Sequence, residues 1–160
     1  MSPHEIASLV DRHGPPLILY ARQWCQAPED VVQEAFIKLV GLRTPPRDAV
    51  PWLYKVVRNA ALDAGKMARR RQQRERAVAK PERWFVEENV EGIDAEAAVA
   101  ALEQIPGEHR EAIVARLWGG LSFEDIASIS GSSASTAFRR FTAALKNYAD
   151  YWVTYVRIVR

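Results

Sequence analysis

The chain is expected to fold as an all-α protein, two small helical domains joined by a linker. Three observations predict this. Apolar residues recur at spacings of three and four almost throughout, while strand-type alternation is scarce. Glycine and proline clusters cut that pattern into helix-sized lengths. Charge also reverses mid-chain: Lys66 to Arg83 holds eight basic residues against two acidic ones, and Trp84 to Glu103 holds six acidic residues and no basic one. Such a reversal, beside Pro81 and Gly92, reads as a linker. The division is therefore 1–76, a linker at 77–93, a second domain at 94–147, and an aromatic tail at 148–160.

Composition narrows the function classes. The 160 residues are 48% hydrophobic and 26% charged, which marks a folded chain rather than a disordered one. A net charge of +2 neither demands nor excludes nucleic acid, so the distribution of charge has to decide. The single cysteine, Cys25, forbids an intramolecular disulfide and fits the reducing cytoplasm as a packed small hydrophobe. His4, His13 and His109 are isolated, so neither metal nor cofactor is expected. Glu5 and Asp11 argue against a signal peptide, and no apolar run suggests membrane insertion.

The elements follow in order. Ser2-Pro3 starts a helix with Ile6, Leu9 and Val10 on one face. His13-Gly14-Pro15-Pro16 is expected to stop it, and Leu17 to Trp24 to restart it. Gln26-Ala27-Pro28 marks a break. Pro28 then opens a strong helix with Glu29 and Asp30 at the end the dipole favours, and Val32, Phe36, Leu39 and Val40 as its apolar stripe. GLRTPPRD (41–48) is a loop. A long helix, about Val50 to Arg71, carries Leu53, Val56, Val57, Ala60, Ala64, Met67 and Ala68 on its apolar face. Its polar face holds Lys55, Arg58, Asn59, Leu62, Lys66, Arg69 and Arg70, with Asp63 beside them. Beyond the linker, Ala95 to Ile105 and Glu108 to Trp118 are helices, Ser122 caps a short third and Ser133 caps a final one to about Asn147.

Two stretches carry the functional reading. In GLSFEDIASISGSSASTAFRRF, the spacing Ala127-xxx-Gly131 suits a helix-turn-helix: a small residue admits close approach, and glycine accepts the left-handed turn. The second helix would enter the major groove with Ser133, Ser135, Thr136, Phe138, Arg139 and Arg140 near its start. The alternative is a helical hairpin with a solvated basic face. Ser130 and Ser132 stand where apolar packing is expected. In the long helix, Lys66 to Arg76 would give salt-dependent phosphate contacts, Asn59 could reach a base edge, and Trp52 and Tyr54 could stack on an unpaired base. For Trp52 a core position is the simpler reading. Asp30, Gln33 and Glu34, with Lys38 beyond, form a polar face that on its own is simply solvated.

Together these segments resemble a known family. LVDRHGPPLILYAR, APEDVVQEAFIKL and PWLYKVVRNAALD followed by RRR look like region 2 of bacterial RNA polymerase sigma factors, the extracytoplasmic-function group above all. EQIPGEHREAIVARLWGGLSFEDIASISGSSASTAFRR looks like their region 4. The resemblance covers about Ile6 to Leu145. It implies that Asp30, Gln33, Glu34 and Lys38 dock on the β′ clamp of core RNA polymerase. It implies that Arg58, Asn59, Asp63, Lys66, Arg69 and Arg70 meet the −10 element of promoter DNA, where a base is flipped out, with GLRTPPRDAV helping to form the pocket. The recognition helix would read the −35 element. The acidic stretch Trp84 to Glu103 would pass near the RNA exit path. An anti-sigma factor is a further partner the resemblance leaves open.

No catalytic triad, phosphate loop or metal cluster is visible, so the chain is not expected to be an enzyme. Two rivals stay open: a stand-alone helix-turn-helix regulator, and a sigma-like adaptor that binds polymerase without opening promoters. In the tail, Tyr148, Tyr151, Trp152, Tyr155 and Val159 share a helical face, read first as packing on the second domain and otherwise as a docking or self-inhibiting segment.

Overall fold

A computed structural model describes residues 1–75 and 95–159 of the chain. The expected linker, 77–93, lies outside the described residues, as do Arg76 and most of the acidic stretch. Seven helices and no strand are present among the described residues: α1 (Pro3–Ala21), α2 (Pro28–Gly41), α3 (Ala49–Glu75), α4 (Ala95–Glu103), α5 (Gly107–Leu117), α6 (Phe123–Ser130) and α7 (Ala134–Val159).

α1 departs from the expected break. Ser2 caps it, the Ser2 Oγ accepting from the Glu5 N–H while Glu5 accepts from the Ser2 N–H. The helix then runs straight through Pro15 and Pro16. Proline cannot donate to the carbonyl four residues back, and its ring crowds the residue before it. Here the residue before Pro15 is Gly14, which has no Cβ to clash. The carbonyls deprived of partners belong to Asp11 and Arg12, both exposed residues that water can reach. What offsets the loss is burial of the next turn: Leu17, Tyr20 and Ala21 are almost fully enclosed, at about 1.5–3 kcal/mol for a side chain of leucine size.

α2 starts as the sequence suggests, with Pro28 in its first turn beside Glu29 and Asp30. Its inner face is Val31, Val32, Ala35, Phe36 and Leu39. Val40, expected in that stripe, is 57% exposed. α1, α2 and α3 pack on one another as a three-helix unit. The inner face of α3 is Leu53, Tyr54, Val57, Ala61 and Gly65, a stripe rotated from the expected one: Met67 is exposed and Leu62 is half-buried. The rotation brings Tyr54 fully inside, so it cannot stack on a base, while Trp52 packs against the core as the simpler reading held.

The Tyr54 hydroxyl is buried without a hydrogen-bond partner, and burial pushes its ionisation far above the usual tyrosine range. An enclosed, unpaired hydroxyl costs free energy. Tyr54→Phe is therefore expected to stabilise the chain by about 1 kcal/mol, read as a higher urea midpoint.

α4 to α7 form the second unit, with α7 packed on α4, α5 and α6. α7 does not end near Asn147 but continues unbroken to Val159. Tyr148 sets its ring edge-on to Trp118 at 6.3 Å, and Trp152 follows on Tyr148 at 6.1 Å. Through Tyr148 the start of the tail stripe thus packs on the second unit. The side chains of Tyr155 and Val159 lie outside the described residues.

Candidate nucleic-acid interface

The turn between α6 and α7 is built as a helix-turn-helix requires. Ser122 caps α6: its Oγ accepts from the Asp125 N–H at 3.1 Å and donates to the Asp125 carboxylate at 2.7 Å. Gly131 ends the helix at φ 70°, a left-handed conformation that costs glycine nothing. The Ser132 N–H then closes back on the Ala127 carbonyl at 2.9 Å, satisfying an orphan carbonyl of the last turn. The two serines that looked out of place bond each other, hydroxyl to hydroxyl, at 2.9 Å across the turn.

Ser133 caps α7, accepting from the Thr136 N–H at 3.1 Å. The exposed start of the helix presents Ser133, Ser135, Phe138 and Arg139. Phe138 keeps 52% of its surface in solvent while one edge rests on Phe123 at 5.3 Å. Arg139 donates to the Thr136 hydroxyl at 3.2 Å. Arg140 is turned aside to Glu108 at 2.9 Å, an ion pair exposed on its acidic side, and such a pair is worth under about 1 kcal/mol. Arg139 is thus the guanidinium held at the tip.

On α3, Asn59, Asp63, Lys66 and Arg70 are all exposed, at helical spacings of four, three and four that place them on one face. Arg69 is exposed one step round, its Nε within 3.4 Å of the Gly65 carbonyl. The expected loop begins one residue later, since Gly41 still belongs to α2; residues 42–48 before α3 are largely exposed, and Asp48 Oδ1 accepts from the Val50 N–H at 3.1 Å. On α2, Asp30, Gln33, Glu34 and Lys38 stand outward together. Ile37 sits among them, 63% exposed. A singly exposed isoleucine is ordinary on a protein surface; Ile37 adds apolar area to this polar face, and the sequence reading assigned it no role. Glu29 leaves this face to approach Arg22 at 3.4 Å.

Arg58 is the site residue that stands apart. It faces the second unit, not solvent. Its Nε donates to Glu111 Oε1 at 2.6 Å and its Nη2 to Oε2 at 3.4 Å. The Tyr20 hydroxyl donates to the same Oε1 at 2.7 Å. Trp24 lies under the guanidinium at 5.7 Å, and Trp24 meets Tyr20 edge-on at 5.0 Å. Burial opposes the arginine's charge, but the hydrogen bond and charge of Glu111 outweigh it and raise its proton affinity. Burial, with the Glu111 charge behind it, holds Tyr20 neutral as a donor. Glu111 is the one charged residue in the core among the described residues, 7% exposed. The sequence reading gave Glu111 no role, because an acid beside the apolar run Ala112 to Ala115 can face solvent or core, and only packing decides; once buried, it must be paired.

The fold and this turn define an all-helical, two-unit protein of the helix-turn-helix, DNA-binding class. Comparison with known proteins goes further. The Sigma-70 region 2 family matches residues 9–75, and the Sigma-70, region 4 family matches residues 95–147. The chain belongs to the sigma-70 family, with the two-region layout of its extracytoplasmic-function group. It is 31% identical over 117 residues to the RNA polymerase sigma factor CarQ of Myxococcus xanthus, a match covering 68% of this chain and 65% of that protein. Among solved structures it resembles the sigma factor RpoE of Bartonella quintana, determined with the anti-sigma factor NepR. That likeness has a TM-score of 0.73 at 22% identity, over 91% of this chain and 94% of that one. It also resembles CnrH, determined with the cytosolic domain of CnrY, at a TM-score of 0.59 and 21% identity, over 96% and 90% of the two chains. At these identities the structural likeness speaks for the fold.

Proposed function

We propose that this chain binds core RNA polymerase and directs it to promoters, recognising two DNA elements and supporting melting at one of them. The observation that carries the reading is the pair of family matches, region 2 then region 4, in order on one chain. In this reading Asp30, Gln33, Glu34 and Lys38, joined by Ile37, dock on the β′ clamp. Asn59, Asp63, Lys66, Arg69 and Arg70, with Arg58 at their inner edge, take the −10 strand. Ser133, Ser135, Thr136, Phe138, Arg139 and Arg140 meet the −35 duplex. The bond-making chemistry belongs to the polymerase, and the chain works in the cytoplasm. Among the described residues no helix is long and apolar enough to cross a membrane. Since RpoE is described with an anti-sigma factor, a protein of that kind is a natural partner to seek.

The physical logic rests on linkage. Melting costs a few kcal/mol per unstacked step, and a small basic surface offsets it by holding the unpaired strand. Two weak readers on one polymerase gain through effective concentration. The division at 77–93 would let them span two promoter elements.

Run-off transcription with purified core polymerase tests the reading, using the region upstream of the protein's own gene as template. A transcript that depends on the chain supports it; absence of any binding to core overturns it and leaves a stand-alone helix-turn-helix regulator. At the −35 end, Arg139→Ala is expected to weaken promoter binding by about 1–3 kcal/mol, measured on holoenzyme by mobility shift. Arg140→Ala should do less, because its guanidinium is already engaged by Glu108.

A further inference from the structure

Every polar group of the proposed −10 strip faces solvent except Arg58. That residue is held by a carboxylate from the opposite unit, and the contact is more elaborate than a chance ion pair. Both Glu111 oxygens are engaged by the guanidinium, and one also takes the Tyr20 hydroxyl. The guanidinium rests on Trp24. Close by, the end of α5 presses on α3: a Cβ placed on Gly119 would lie 2.6 Å from the Tyr54 hydroxyl oxygen. α1 packs on α5, and α3 on α6. The helix-turn-helix unit is therefore seated on the helix that is to receive DNA.

A carboxylate that meets a guanidinium through two N–H donors offers what a phosphate would offer. We propose that Glu111 is an intramolecular latch, holding the helix-turn-helix unit closed on α3 by occupying Arg58 in place of a DNA phosphate. The proposal rests on the sigma-factor reading for the identity of the competitor. Opening exposes Arg58 and frees the two readers to separate. Closed, the chain withholds the inner edge of its −10 surface and cannot spread its two DNA-binding units. Polymerase and promoter must supply the difference between the states, so the latch lowers apparent affinity by the fraction of chain that is open.

The sequence alone hid this, because the two partners lie 53 residues apart on different units.

Glu111→Gln is the direct test, since glutamine keeps the shape and removes the charge. Glu111 is not placed in any DNA or polymerase contact. Tyr20→Phe is the second variant: it keeps the buried ring and removes one hydrogen bond. Small-angle scattering on the free full-length chains reads opening, and titration with core polymerase reads its consequence. Glu111→Gln is expected to increase the radius of gyration and raise core affinity on the order of tenfold. Tyr20→Phe is expected to move both the same way, roughly threefold in affinity. Far-UV circular dichroism checks that the helices persist. If Glu111→Gln fails to fold, Tyr20→Phe decides. Unchanged compactness in the folded variants overturns the latch, and opening without gain in core affinity overturns its inhibitory role. If no chain binds core polymerase, the sigma-factor reading falls, while scattering still decides the latch.

Discussion

Asp30→Ala/Glu34→Ala is expected to abolish the chain-dependent run-off transcript while leaving the fold intact. Both carboxylates are exposed on α2 and stand beside exposed Ile37. No hydrogen bond ties either of them to the rest of the chain among the described interactions, so their loss removes little structure. Asp30 in the first turn favours the helix dipole, which puts the stability cost below about 1 kcal/mol. At an interface the balance differs. A carboxylate buried against a basic partner is worth about 2 kcal/mol or more when it acts as a hot spot. Losing two should weaken core binding by a hundredfold or more, roughly. Fluorescence anisotropy with core polymerase checks the affinity, and thermal melting checks the fold. A double variant that binds core as the wild type does would remove α2 from the docking surface. The single variant Ile37→Ser is the useful companion, because it tests the apolar centre of the face without touching charge.

Gly65→Ala is expected to be the most destabilising single-methyl change in the first unit. Gly65 is buried on α3 where the helix crosses the turn after α1. A Cβ there would run into the Trp24 carbonyl oxygen, with the carbonyl carbon 3.3 Å away. The obstruction is backbone, so no side chain can swing aside and α3 itself must move. Overpacking of this kind costs about 3 kcal/mol. Alanine's better helix propensity returns under about 1 kcal/mol. The effect should also reach function, because Trp24 lies beneath Arg58 and beside Tyr20. Urea denaturation reads the stability loss as a lower midpoint at unchanged slope. A midpoint equal to the wild type would mean that the helix crossing is looser than the geometry describes.

Much of this protein was legible before any coordinates. Helical periodicity and punctuation located each described helix. Ser2, Ser122, Ser133 and Gly131 marked ends that the hydrogen bonds then explained, because caps are local and a few residues suffice to specify them. The proline pair was misjudged for the opposite reason. Local rules at 13–16 favour a break, whereas burial of Leu17, Tyr20 and Ala21, settled by distant partners, carries the helix through.

The family came from motif order, which a linear chain displays in full, whereas the buried faces did not. Spacing gave α3 a stripe, but only packing chose which of two neighbouring stripes went inside, placing Tyr54 and Gly65 in and Met67 out. The Glu111 contact with Arg58 and Tyr20 was beyond any local reading, since a charge buried between two units is stable only where three side chains from three helices converge. The sequence by itself determined the helices, their caps and the order of the two regions, because those depend on neighbours along the chain. The tertiary structure alone decided which faces meet and which charge is enclosed, because those depend on neighbours in space.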